Sequence, residues 1–139
     1  MTNETLARIG ENLKDLNDFR LVMWKRKCAD LPLDDGVRSL LQGYTNLTRF
    51  AFQLKPGGLT DIGLRYIGQY GQKLKSMIFG GLGETDTALI TFSTGCPSLK
   101  KLEIKDCSFT GHGLAIAASQ LASLRGCLVH YGKIKFLGS

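Results

Sequence analysis

The chain has 139 residues, 43% of them hydrophobic, and a formal net charge of +6. That length fits one domain or a part of one, and the apolar content is too high for a disordered chain. No apolar run approaches the roughly 20 residues that span a bilayer, and the start, MTNETLARIGENLKDL, lacks the continuous apolar stretch of a signal peptide. Neither membrane insertion nor secretion is expected.

The basic balance permits an anionic partner without naming one. The densest cationic cluster is Lys25-Arg26-Lys27, and the other cations are scattered singly. Cys28, Cys96, Cys107 and Cys127 form no C-x-x-C pair, and His112 and His130 lie far apart. Such spacing does not suit zinc, so no metal is expected. Reduced and mostly buried thiols are expected instead.

In chain order, one unit recurs five times. A helix begins after Thr2-Asn3, with Leu6 and Ile9 one turn apart, and a strand follows on Leu16, Phe19 and Leu21. The second unit has Val37 and Leu40, then Leu47, Phe50 and Phe52. The third begins after Thr60-Asp61 with Leu64 and Ile67, then Leu74, Met77 and Phe79. The fourth begins after Thr85-Asp86 with Leu89 and Phe92, then Leu99, Leu102 and Ile104. A weaker fifth has Leu114 and Ala117, then Leu124, Cys127 and Val129. The leading leucines are 31, 27, 25 and 25 residues apart, yet each stands ten residues after the first apolar helix position. Length variation therefore falls in one connection per unit, as it does in a solenoid. Gly57-Gly58 and Gly80-Gly81 mark strand exits, and Pro97 sits between a helix and a strand.

The expected fold is α/β, a leucine-rich repeat solenoid of about five helix–strand repeats, with parallel strands on the concave face. Residues 1–131 form the repeats and 132–139 a divergent tail. Strands are expected near 19–22, 50–53, 77–80, 102–105 and, least regularly, 127–129. Neither end carries a polar cap, so the chain is expected to be a segment of a longer protein and a poor folder alone.

Alternation along the strands sends Phe19, Leu21, Phe50, Phe52, Met77, Phe79, Leu102 and Ile104 into the core. The concave face then carries Asp18, Arg20 and Val22; Arg49, Ala51 and Gln53; Ser76, Ile78 and Gly80; and Lys101, Glu103 and Lys105. Gly126, Leu128 and His130 follow less regularly. Arg20 and Arg49 stand on neighbouring strands, about 4.8 Å apart, and their planar forks suit one shared anion. No nucleophile elbow, metalloprotease motif or P-loop is present, so no enzyme is expected. Gly80-Gly81-Leu82-Gly83 reads as a loop between repeats.

The runs DFRLV (18–22), DLPLDDGVRSLL (30–41), LTRFAFQLKPGGLTDIGLRYIGQY (47–70) and GCPSLKKLEIKDCSF (95–109) resemble the coronatine-insensitive jasmonate receptors of plants. These are F-box proteins with leucine-rich repeats, related to the auxin receptors. The resemblance runs from about residue 2 to Arg125. It implies a recognition segment of a non-catalytic, SCF-type ubiquitin-ligase subunit in the nucleus. The implied ligands are a jasmonate–isoleucine conjugate and an inositol phosphate, and the implied partner is a transcriptional repressor of the jasmonate pathway. The ligase adaptor would be reached only through an F-box outside this sequence, and neither nucleic acid nor membrane is implied.

Carried over by position, Arg20 matches an arginine at the ligand's acid and amide end. Val22 and Ile78 match apolar pocket walls. Gln53 stands where the family has a tyrosine, Ser76 where it has a tryptophan, and Lys105 where it has an arginine. Gln53 can still donate to a ketone, but Lys105 loses the planar fork and Ser76 a large apolar wall. The alternative is a plain leucine-rich-repeat interaction module, or a non-functional truncated paralogue without hormone binding.

Overall fold

The computed structural model describes residues 2–13, 15–22, 32–44, 46–54, 57–105, 108–131 and 134–138. Lys25-Arg26-Lys27, Cys28 and Cys107 lie outside them.

Among the described residues, five helices alternate with five strands. These are α1 (Asn3–Asn12), β1 (Asp18–Val22), α2 (Asp34–Gly43), β2 (Arg49–Gln53), α3 (Asp61–Tyr70), β3 (Ser76–Gly80), α4 (Asp86–Thr94), β4 (Lys101–Lys105), α5 (Gly111–Gln120) and β5 (Gly126–Tyr131). The strands lie in sequence order in one sheet, and β1 to β5 are parallel. This is a leucine-rich repeat solenoid. A sixth strand, β6 (Ile134–Gly138), folds back antiparallel on β5. No described helix is long and apolar enough to cross a membrane.

The helices start where threonines cap them. Thr2, Thr60 and Thr85 accept from the backbone N–H of Thr5, Ile62 and Ala88, and Thr110 does the same for Gly113. Helix α2 has no side-chain cap; Asp34 and Asp35 complement its positive end.

One face of the sheet packs on the helices. Leu40, Leu64, Leu89 and Phe92 share a core with Phe50, Phe52, Phe79 and Ile104, all buried. Phe50 stacks between Phe19 and Phe52, with centroids 5.9 and 5.4 Å away. Leu21 is only half-buried, because β1 has a neighbour on one side alone among the described strands. Leu114, Leu124 and Cys127 of the fifth unit are also half-buried. Cys96 is fully buried, and both Cys96 and Cys127 are free thiols.

Two devices set the repeat spacing. Glycines let the helices touch: Gly43 lies against the backbone of Gly10, and Gly95 against that of Gly68, with no room for a Cβ. Carboxylates at the helix starts clasp the next repeat. Asp34 accepts from the Thr60 N–H (2.9 Å) and hydroxyl. Asp61 accepts from the Glu84 and Thr85 N–H groups (2.6 and 3.1 Å) and the Thr85 hydroxyl (2.9 Å). Asp86 accepts from the Thr110 N–H (2.9 Å) and hydroxyl. In the first interval Asn3 takes this place, accepting from the Gly36 N–H at 2.8 Å.

Candidate functional site

The strand registers arrange the open face of the sheet in three rows. The row at the strand starts runs Asp18, Arg49, Ser76, Lys101, Gly126. The middle row runs Arg20, Ala51, Ile78, Glu103, Leu128. The row at the strand ends runs Val22, Gln53, Gly80, Lys105, His130. Arg49 therefore stands opposite Asp18, and Arg20 opposite Ala51. The two arginines are diagonal neighbours rather than directly paired.

Arg20, Arg49, Ser76 and Ile78 line one groove of about 560 Å³ over β1 to β4. Ala51 forms part of its floor and is buried, because larger side chains flank so small a residue on both sides. Five cationic side chains line this groove against one carboxylate, that of Asp18. Neither ion pair formed among the described residues involves Arg20 or Arg49: Arg8 pairs with Glu4, and Lys105 with Glu103 at 3.7 Å.

Val22, Gln53 and Lys105 do not line the groove. All three belong to the strand-end row. Val22 is exposed, Gln53 is half-buried, and Lys105 is held by Glu103. The expected site residues thus divide between the groove and the adjoining row.

Two further groove cations, Lys75 and Lys100, precede β3 and β4 by one residue, where strand alternation gives no orientation. Their backbone N–H groups step along the sheet: Lys75 to Thr48, Lys100 to Lys75 and Arg125 to Lys100, each at 2.8 Å. Lys75, Lys100 and Arg125 are all exposed and form a cationic rim along the strand starts. The signal for them lay in the sequence, since each follows a repeat's leading leucine by one position.

Two of the clasp carboxyls, those of Asp61 and Asp86, are shifted. Partial burial pushes the Asp61 carboxyl up, but hydrogen bonds from Glu84 and Thr85, with Arg65 nearby, outweigh it and hold it below the usual range. The Thr110 hydroxyl and N–H, aided by His112, likewise hold Asp86 low. Burial pushes the Cys96 thiol up to about 12 and the Cys127 thiol upward as well. Neither thiol has the depressed pKa of a reactive cysteine.

The chain is 54% identical over 127 residues to Coronatine-insensitive protein 1 of Arabidopsis thaliana. It is 50% identical over 127 residues to Coronatine-insensitive protein homolog 2 of Oryza sativa subsp. indica. Over this span the chain is similar to a segment of the coronatine-insensitive proteins. Each alignment takes in 90% of this chain but 22% of the relative, so the chain spans about a fifth of these proteins. A more distant relative, F-box protein FBX14 of Arabidopsis thaliana, is 34% identical over 141 residues, covering 95% of this chain and 22% of its own length. No family model matches. The coronatine-insensitive relatives share the span that holds the groove and its rim.

Proposed function

We propose that this segment contributes part of the recognition face of a jasmonate co-receptor, the non-catalytic F-box subunit of an SCF-type ubiquitin ligase in the nucleus. The groove holds the acid end of a jasmonate–isoleucine conjugate through Arg20, with Ile78 as an apolar wall. An inositol phosphate occupies the cationic rim, and the repressor closes over both. The observation that carries this reading is the convergence of five cations, Arg20 among them, on one groove. Bidentate guanidinium donation suits a carboxylate, and the lysines suit phosphate.

A second reading, a plain leucine-rich-repeat interaction module, draws on Gln53, Ser76 and Lys105. Lys105 is paired with Glu103 and lies outside the groove lining, and Ser76 offers no aromatic wall. A chimaera separates the two readings: Coronatine-insensitive protein 1 of Arabidopsis carrying this segment in place of its own. On the receptor reading the chimaera captures a repressor peptide in response to the hormone conjugate. Arg20→Ala abolishes that response, and Gln53→Tyr with Ser76→Trp strengthens it. Hormone-independent capture that ignores all three changes establishes the plain module.

A further inference from the structure

Among the described residues β1 pairs with β2 alone, so its other edge carries unpaired backbone groups. The Arg49 N–H donates to the Asn17 carbonyl at 3.1 Å. Alternation along the strand then turns the N–H and C=O groups of Phe19 and Leu21 towards β2, and those of Asp18, Arg20 and Val22 to the outer edge. Asp18 and Arg20 also present exposed side chains of opposite charge on the open face, and neither joins an ion pair among the described residues. On the core face, Phe19 ends a row of rings that runs through Phe50 to Phe52. Leu16, just before the strand, and Leu21 within it are only half-buried.

We infer that this edge is a self-association surface, on which the β1 strands of two copies of the chain pair antiparallel about a two-fold axis at Phe19. A two-fold sets the same patch on both copies, so the register must complement itself. Centring the axis on Asp18 or on Arg20 puts like charges directly opposite each other, which is unfavourable. Centring it on Leu21 puts Arg20 against Val22. Centring it on Phe19 puts Asp18 of each copy opposite Arg20 of the other, twice over. These are residues whose backbone groups face outward, so each such pair also exchanges two backbone hydrogen bonds. Phe19 meets its own counterpart as a non-hydrogen-bonded pair, the closer of the two antiparallel spacings, and the ring rows of the two copies join. Asp18 then stands between Arg49, its register partner on β2, and Arg20 of the second copy. At the other end of the sheet β6 offers no such match, because Lys135 is its one charged residue. The pairing needs no ligand, so it does not rest on the reading of the groove.

Sedimentation velocity on the 139-residue chain tests this. The wild type passes from monomer to dimer with a dissociation constant between about 1 and 200 µM, the weak end of interface affinities. Asp18→Arg alone and Arg20→Asp alone each turn both attractive pairs repulsive, and each self-associates roughly tenfold more weakly. An equimolar mixture of the two variants, both shown to be folded by circular dichroism, restores the dimer, because the two chains complement each other at both pairs. Raising the salt to about 0.5 M weakens the wild-type dimer without any substitution. A wild type that stays monomeric to about 200 µM, assembles beyond the dimer, or dimerises regardless of salt overturns the inference. So does a mixture of the folded variants that associates no more than either variant alone.

Discussion

Asp86 and Thr110, 24 residues apart, are joined twice: the carboxylate accepts from the threonine's backbone N–H at 2.9 Å and from its hydroxyl. Thr110 meanwhile caps α5 by accepting from the Gly113 N–H at 3.2 Å. One threonine thus ends its own helix and ties it to the repeat before. Asp61 with Thr85, and Asp34 with Thr60, do the same. The ladder stops at α5, whose first residue is Gly111.

The clasps of Asp61 and Asp86 make stability acid-sensitive. The folded-state pKa values of Asp61 and Asp86 lie below their unfolded values. The unfolded chain therefore binds more protons as pH falls, and the contribution present above about pH 4 is lost as pH drops through the folded values. The urea midpoint should be level from pH 7 to 5 and fall below pH 4. Asp61→Asn with Asp86→Asn should lower the plateau and flatten the acid limb. An unchanged acid limb in that double variant would show that the clasps do not govern it.

Helix contact through glycine gives a second expectation. Gly95 lies against the Gly68 backbone with no space for a methyl group, whereas a Cβ on Gly111 would meet nothing within 4 Å. Gly95→Ala should destabilise by about 1–3 kcal/mol through overpacking. Gly111→Ala should be neutral or stabilise by about 0.4–1 kcal/mol through the unfolded chain. Paired urea denaturation curves measure both, and equal effects would refute the contact argument.

Thiol chemistry follows from burial. Cys96 is completely inaccessible, with its pKa pushed up to about 12. At pH 8 it should resist iodoacetamide until the chain unfolds, with labelling of its peptide tracking the urea transition by mass spectrometry. Prompt labelling in the native protein would contradict the packing around α4.

The repeats were legible because two periods lock together. The ten-residue offset from Leu64 to Leu74 or from Leu89 to Leu99 holds in every unit, and β1 to β5 appear where it places them. The buried strand positions followed from alternation, except that Leu21 is only half-buried at the sheet edge and Ala51 is buried by larger neighbours. The site was legible in part. Alternation put Arg20, Ser76 and Ile78 on the open face, but Lys75 and Lys100 sit one residue outside the strands and Arg125 one residue before β5. Clasps such as Asp34 to Thr60 join residues 26 apart, a register that no local pattern encodes. The antiparallel return of β6 breaks the repeat and has no periodic signal.

The rim supplies the last prediction. Lys75, Lys100 and Arg125 are exposed, so each is screened by water and salt, and an exposed ion pair is worth about 0.2–1 kcal/mol. Single alanine substitutions should therefore weaken binding of inositol hexakisphosphate only about two- to fivefold, as that energy range allows. The triple variant should lose roughly 10- to 100-fold if the three act independently. Binding should also fall steeply between 0.05 and 0.5 M salt, as the Debye length shrinks from about 14 to 4 Å. Arg38 is the control: it lies over the Tyr66 ring, 5.6 Å from its centroid, on the helical side. Arg38→Ala should leave the affinity unchanged. If it weakens binding as much as Lys100→Ala does, the polyanion responds to net charge and not to the rim. If the triple variant binds like wild type, phosphate does not sit along the strand starts.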